Sequence, residues 1–113
     1  MSIEELREDE LIRRLKGRAG PDAVLFHTVF CGTCKLAERM LDIVQTAGTA
    51  VPIHKVNINY APGLRDEWKI SSVPCLVLLN GGKPVRFEYT MRSVDYLYGL
   101  LKELEASSPA QED

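Results

Sequence analysis

The hydrophobic positions of the chain fall into eight segments, four with helical spacing and four with the spacing of strands. The predicted strands cover residues 23–29, 51–58, 75–79 and 85–89. The predicted helices begin at Ser2, at the Cys31–Cys34 segment, at Pro62 and at Ser93. The order helix, strand, helix, strand, helix, strand, strand, helix predicts an α/β fold, a three-layer α/β/α sandwich with a mixed central sheet.

The first two helices carry start and stop signals. The first is predicted from a capping box, Ser2 followed by Glu5, to a stop at Gly17. Its apolar stripe slips between Leu6 and Leu11, so its opening turns are expected to bend. The second helix is amphipathic, and its apolar positions before Gly48 are Leu36, Met40, Ile43, Val44 and Ala47.

The carboxyl-terminal part is predicted to hold a hairpin and a final helix. Asn80-Gly81-Gly82 is typical of a hairpin turn, so the last two strands should be antiparallel neighbours, with the final one at an edge. Ser93 is expected to cap the last helix. One domain is therefore predicted over residues 1–106, and the polar segment 107–113 is expected to be a disordered tail.

Composition and charge narrow the class of protein. The 113 residues are 45% hydrophobic and 27% charged, which suits one globular domain. A formal net charge of -2 offers no positive field for nucleic acid or an anionic membrane. No apolar run approaches the roughly 20 residues that cross a bilayer, so we expect a cytoplasmic protein. Arg86 and Glu88 on the predicted edge strand favour a monomer.

Cys31 and Cys34 lie where a predicted strand becomes a helix. A helix N-terminus stabilises the thiolate, which is the nucleophilic form of cysteine. A second cysteine one turn further along can attack a mixed disulfide and release the partner. We therefore predict Cys31 as the nucleophile and Cys34 as the resolving thiol. The same spacing occurs in half of a zinc site and among ordinary core residues, and both alternatives stay open at this point.

Three segments resemble the thioredoxin family, within about residues 23–104. They are Phe30-Cys31-Gly32-Thr33-Cys34, similar to the family's Trp-Cys-Gly-Pro-Cys, Lys55 to Asn59 with Pro62-Gly63, and Ile70 to Pro74, similar to its cis-proline loop. The resemblance implies that the protein reduces disulfides in client proteins. It also implies that a flavin-dependent reductase, which uses NADPH, then reduces the protein's own disulfide again. It also implies no bound cofactor and no metal, only a redox-active disulfide between the two paired cysteines.

The resemblance assigns roles to residues around the pair. Pro74 is expected to follow a cis bond and to lie against the nucleophilic sulfur, with the Val73 backbone free to pair with an extended substrate. Phe30, Gly32 and Thr33 are expected to support the active site. Because Thr33 replaces the family's proline, the dithiol is expected to be somewhat more oxidising than that of a typical thioredoxin.

Departures from the family pattern concern the buried side of the site. Leu25 stands where the family usually has an aspartate, thought to relay the resolving cysteine's proton, whereas the nearby lysine is retained as Lys55. We expect Lys55 to extend towards solvent, and the alternative is that another acid reaches it. His27 is placed to stabilise the thiolate or to carry protons between about pH 6 and 8, although packing explains it equally well.

Cys75 directly follows Pro74 at the start of an apolar run. Packing as a small hydrophobic residue is the favoured interpretation. The alternative brings Cys75 near Cys34, for a second disulfide or, together with His27, for a metal or cluster site.

The sequence thus predicts a thioredoxin-like protein-disulfide reductase that acts through Cys31 and Cys34. A second hypothesis is a redox-sensing or partner-binding module with slow turnover, because the buried aspartate is missing. A third, less favoured, is a metal-binding or cluster-binding protein that uses Cys31, Cys34 and Cys75.

Overall fold

A five-stranded mixed sheet runs through the middle of the computed structural model, which describes residues 3–107. The elements are β1 (Glu4–Glu5), α1 (Glu8–Leu15), β2 (Pro21–His27), α2 (Gly32–Gly48), β3 (Ile53–Asn57), α3 (Pro62–Glu67), β4 (Cys75–Asn80), β5 (Lys83–Glu88) and α4 (Val94–Ala106). The strand order is β1-β3-β2-β4-β5. The first three strands of that order are parallel, and β4 and β5 each run antiparallel to their neighbours.

Each face of the sheet has its own hydrophobic core. Ala23 and Leu25 of β2 pack on the side covered by α2 and α4, whereas Val24 and Phe26 pack on the side covered by α1 and α3. Successive side chains of a strand point to opposite faces, so a strand covered on both sides is apolar throughout. The predicted three-layer sandwich with a mixed sheet is confirmed.

The amino-terminal segment differs from the predicted helix. Ser2 lies outside the described residues, and Glu5 belongs to β1 rather than to a helical turn. β1 pairs with β3, and the Ile3 side chain is buried in the core under α2 and α4. The Ile3 N–H donates to Asp42 Oδ1 at 2.9 Å, which ties the segment to α2. The slip of the apolar pattern after Leu6 therefore marks the change from strand to helix.

The buried face of α2 includes Val44, with Met40 packed against it, but not all of the predicted apolar positions. Leu36 and Ile43 are 51% and 54% exposed. The face that packs against the sheet and α4 consists of Cys34, Ala37, Leu41 and Val44. Because this helix has apolar residues on two sides, periodicity alone leaves its rotation open. Packing selects the face that carries Cys34.

The hairpin and the last helix form as predicted. β4 and β5 are antiparallel neighbours, and β5 is an edge strand. Gly81 and Gly82 join them with φ angles of 62° and 80°, a conformation that residues with a Cβ rarely adopt. Ser93 caps α4, its Oγ accepting the Tyr96 N–H at 3.0 Å.

Ser107, the first residue of the predicted tail, lies within the described residues. Ser107 is the C-cap of α4, and its carbonyl accepts a hydrogen bond from Asn80 Nδ2 at 3.1 Å. Residues 108–113 of the predicted tail lie outside the described residues. Within residues 3–107, every helix is too short or too polar to cross a membrane.

Candidate active site

The paired cysteines lie at the junction of β2 and α2. Cys31 is the N-cap residue of α2, and its Sγ accepts the Cys34 backbone N–H at 3.1 Å. The two Sγ atoms are at disulfide distance, with the Cα atoms 5.1 Å apart. Cys31 is partly exposed, whereas Cys34 is buried at 2% exposure. A sulfur atom of another protein can therefore approach Cys31 but not Cys34.

The surface around Cys31 is open and apolar. Phe30 is 99% exposed and Val29 is 53% exposed. Gly32 and Thr33 are also exposed, and Thr33 Oγ1 lies 3.3 Å from Cys31 Sγ, where its hydroxyl can donate to the sulfur. The predicted supporting residues of the β2–α2 turn thus flank the outer cysteine.

The loop before β4 reaches the same end of the sheet. Cys75, the first residue of β4, is in register with Phe26 near the end of β2, so Val73 and Pro74 lie close to the level of the β2–α2 turn. Both are partly exposed, and the peptide bond between them is cis. Antiparallel pairing of β2 with β4 thus brings the two loops singled out from the sequence to one edge of the sheet.

Lys55 has an acid partner, so the expectation that its side chain extends towards solvent is wrong. Its Nζ lies 2.6 Å from Glu38 Oε2, and the two side chains are only 17% and 24% exposed. On the sheet, Lys55 is in register with Leu25, which is fully buried and carries no charge. The carboxylate that neutralises Lys55 comes from α2 instead of from the neighbouring strand.

A cavity of about 120 Å³ adjoins Cys34 on the inner side of the pair. Glu38, Lys55, His27 and Glu5 contribute to its lining. The His27 side chain is 8% exposed, and its Nε2 lies 3.5 Å from Glu5 Oε1 without a hydrogen-bond partner in the described chain. His27 and Lys55 therefore lie on the Cys34 side of the sheet.

Two acidic residues of this cavity escaped the sequence prediction. Glu38 follows Cys34 by four residues, and this helical spacing is a signal that places both side chains on one face of α2. Glu5 was assigned to a helix cap, so its position beside His27 became visible only once the amino-terminal segment was seen to pair with β3.

Cys75 lies on the other face of the sheet. Its side chain packs in the core under α1 and α3, whereas Cys34 belongs to α2 on the opposite face. Burial raises the pKa of the Cys75 thiol to about 11, against the opposing effect of a hydrogen bond with Tyr89. The structure thus separates the Cys75 sulfur from the Cys31–Cys34 pair, so the three do not meet as the alternative metal site requires. Among residues 3–107, His, Cys, Asp and Glu side chains form no group of three suited to a metal ion.

The fold and the cysteine pair together define a site for thiol–disulfide exchange on an α/β sandwich. The family model described as Thioredoxin matches residues 2–103. The chain therefore belongs to the thioredoxin family.

Individual relatives agree with this assignment. The thioredoxin-like protein YusE of Bacillus subtilis is 39% identical over 108 residues, which cover 94% of this chain and 97% of that protein. A thioredoxin of Chlamydia caviae is 31% identical over 78 residues, which cover 69% of this chain and 76% of that protein. Among solved structures, a mutant thioredoxin from Halobacterium salinarum superposes with a TM-score of 0.81 at 19% identity, covering 96% of this chain and 95% of that chain.

Proposed function

We propose that the protein reduces disulfide bonds of client proteins by dithiol exchange. The observation that carries the proposal is the asymmetry of the cysteine pair, with Cys31 partly exposed at the N-terminus of α2 and Cys34 buried one turn behind it. Membership of the thioredoxin family and the disulfide distance between the two sulfurs support thiol–disulfide oxidoreductase chemistry in general.

The exchange proceeds in two displacements. The Cys31 thiolate attacks one sulfur of the client disulfide, so that a Cys31–client bond forms and the other client sulfur leaves as a thiolate. Cys34 then loses its proton and attacks Cys31 Sγ, which forms the Cys31–Cys34 disulfide and releases the second client thiolate. The client gains two electrons, and the dithiol of the protein loses them.

The surface beside Cys31 suits an extended client segment. Phe30 and Val29 offer exposed apolar area for contact. We infer that the Val73 backbone, next to Pro74, pairs with the client main chain in the manner of an added strand. The register of β2 with β4, which brings both loops to one end of the sheet, supports this arrangement.

We further propose a flavin-dependent thioredoxin reductase, fed by NADPH, as the partner that restores the dithiol. Membership of the thioredoxin family supports this proposal. The exchange steps themselves need no bound cofactor or metal. A protein whose dithiol must be kept reduced is suited to the reducing cytoplasm, and we propose that it acts there. We propose further that it acts as a monomer.

A redox sensor or partner-binding module with slow turnover is the second candidate. Buried Leu25 favours it, because the strand beneath the site supplies no carboxylate to take the Cys34 proton. Insulin reduction with dithiothreitol, and then with a thioredoxin reductase and NADPH, separates the two candidates. Fast turnover supports the reductase, whereas a reversible disulfide with negligible turnover supports the sensor.

Replacement of the resolving thiol tests the two-step exchange directly. The Cys34→Ser variant should accumulate client proteins bound to Cys31, because the second displacement cannot occur. In a lysate, these adducts are expected as bands on a non-reducing gel that disappear with reductant. The Cys31→Ser, Cys34→Ser double variant and the Cys75→Ser variant are the matched controls, and neither should form them. A folded Cys34→Ser protein without adducts would contradict the exchange.

A further inference from the structure

Cys34 must lose a proton before it can attack, and its burial leaves few groups able to take it. At 2% exposure the thiol is shielded from bulk water. The cavity beside it is about 120 Å³, against about 30 Å³ occupied by one water in the liquid, so it has room for a bridging water. The proton acceptor should therefore be one of the titratable groups that line this cavity.

We propose that Glu38 accepts the Cys34 proton through water in the cavity, with Lys55 as the positioning residue that holds the carboxylate there. This inference rests on the proposed function, because it concerns the second displacement of the exchange. It gives a role to the Glu38–Lys55 pair, which would otherwise be a structural ion pair beneath the site.

The position of Glu38 on α2 is the first support. Side chains four residues apart on a helix are neighbours, with Cβ atoms about 5–6 Å apart, so Glu38 lies directly beneath Cys34 on the same face. Both line the same cavity. The Glu38 side chain is 24% exposed, so its carboxylate is mostly shielded from bulk water. A proton that leaves Cys34 can therefore pass to this carboxylate instead of to bulk solvent.

Lys55 supplies the second support. Its Nζ donates to Glu38 Oε2 at 2.6 Å, which fixes one carboxylate oxygen and leaves the other free to accept a proton. Lys55 extends from β3, next to Leu25 of β2. The strand therefore provides the cation and the helix the anion, and together they place an acceptor under the buried thiol.

The other titratable groups around the cavity are less suited. Lys35 from α2 is a cation and cannot accept a proton in that form. Glu5 from β1 has a side chain 52% exposed and lies 3.5 Å from His27 Nε2. His27 from β2 is buried and is the strongest competitor, but it lies on the sheet, whereas Glu38 shares the helical face of Cys34.

The step balances without an added reagent. The Cys34 S–H proton passes to Glu38 as the Cys34 sulfur attacks Cys31 Sγ. The Cys34–Cys31 bond forms, the bond from Cys31 to the client sulfur breaks, and the client thiolate leaves. Glu38 then returns its proton to solvent or to the leaving thiolate, so the carboxylate is ready for another cycle.

Stopped-flow reaction of the reduced protein with dithiobis(nitrobenzoate) isolates this step. The first thionitrobenzoate is released when Cys31 attacks the reagent, and the second when Cys34 resolves the mixed disulfide. The Glu38→Gln variant should keep the rate of the first release. Its second release should be at least about 10-fold slower near pH 7, because general base catalysis contributes roughly 10²–10⁴-fold.

The pH profile and a rescue variant distinguish proton transfer from a structural role. The deficit of Glu38→Gln should shrink as pH rises, because hydroxide then replaces the missing carboxylate. Glu38→Asp should recover part of the rate, since a carboxylate is restored. Glu103→Gln, which removes an exposed carboxylate on α4, is the matched control and should resemble the unmodified protein in both releases.

Each outcome decides the proposal. A second release at the unmodified rate in Glu38→Gln overturns it, as does an equal slowing of both releases at every pH. Slowing in His27→Gln but not in Glu38→Gln overturns it in favour of the imidazole. Insulin reduction by the unmodified protein tests the proposed function separately. If Glu38→Gln slows the second release but the unmodified protein reduces no insulin, the Glu38 role is upheld and the reductase function is rejected.

Discussion

Cys75 shows how burial controls the chemistry of a single residue. It begins β4, and its side chain enters the core under α1 and α3. Burial raises the pKa of its thiol to about 11 from an ordinary value of 9.0. Because the thiolate is the reactive form, this cysteine should behave as a packing residue although it adjoins Pro74 in sequence.

Alkylation of the oxidised protein tests this behaviour. Near neutral pH, Cys75 should react with iodoacetamide at least about 100-fold more slowly than an ordinary thiol, because a pKa higher by about two units reduces the thiolate fraction by that factor. Denaturation should restore rapid labelling. Mass spectrometry of the labelled peptide measures both rates, and rapid labelling of the folded protein would show that the thiol is accessible.

His54 offers a second test at the residue scale. Burial lowers its pKa below the ordinary 6.5, Arg14 and Arg18 lower it too, and Glu4 and Asp22 oppose them. The folded protein therefore binds fewer protons than the unfolded chain near pH 6, so the free energy of unfolding should decrease as pH falls below about 6.5. His54→Gln should lose less stability than the unmodified protein between about pH 7.5 and 5 in urea titrations. Equal losses would contradict the shift.

At the scale of elements, periodicity predicted which segments form helices and strands better than it predicted their faces. β2 and β4 were recognisable because strands buried on both sides are continuously apolar. The rotation of α2 was not, since Leu36 and Ile43 are apolar yet about half exposed. β1 has two residues, too few for any period, and its existence depends on pairing with β3.

The candidate site divides in the same way. Cys31, Cys34 and Pro74 were predictable because their neighbours along the chain carry the signal. The partner of Lys55 was not, because Glu38 comes from another element and meets it only after α2 packs on the sheet. Contacts between elements are set by packing, and one sequence gives little information about them.

For the whole molecule, the sheet separates two environments. The α2 and α4 face carries Cys34, Glu38 and Lys55, and thus the exchange chemistry. The α1 and α3 face carries Cys75 within a closely packed cluster of apolar side chains. Core substitutions on the α1 and α3 face should therefore affect stability without changing the exchange rates.

The amino-terminal segment should contribute to the stability of the whole molecule. Ile3 is 2% exposed in the core under α2 and α4, and its N–H donates to Asp42. Ile3→Ala should lower the free energy of unfolding by about 2–3 kcal/mol, because the substitution removes buried apolar atoms and leaves a gap in the core. Ile12→Ala is the matched control on α1, where the side chain is 42% exposed, and it should cost less than about 1 kcal/mol. Urea unfolding followed by circular dichroism measures both. Equal effects of the two substitutions would contradict the burial of Ile3, because removal of an apolar side chain from a core costs more than removal from the surface.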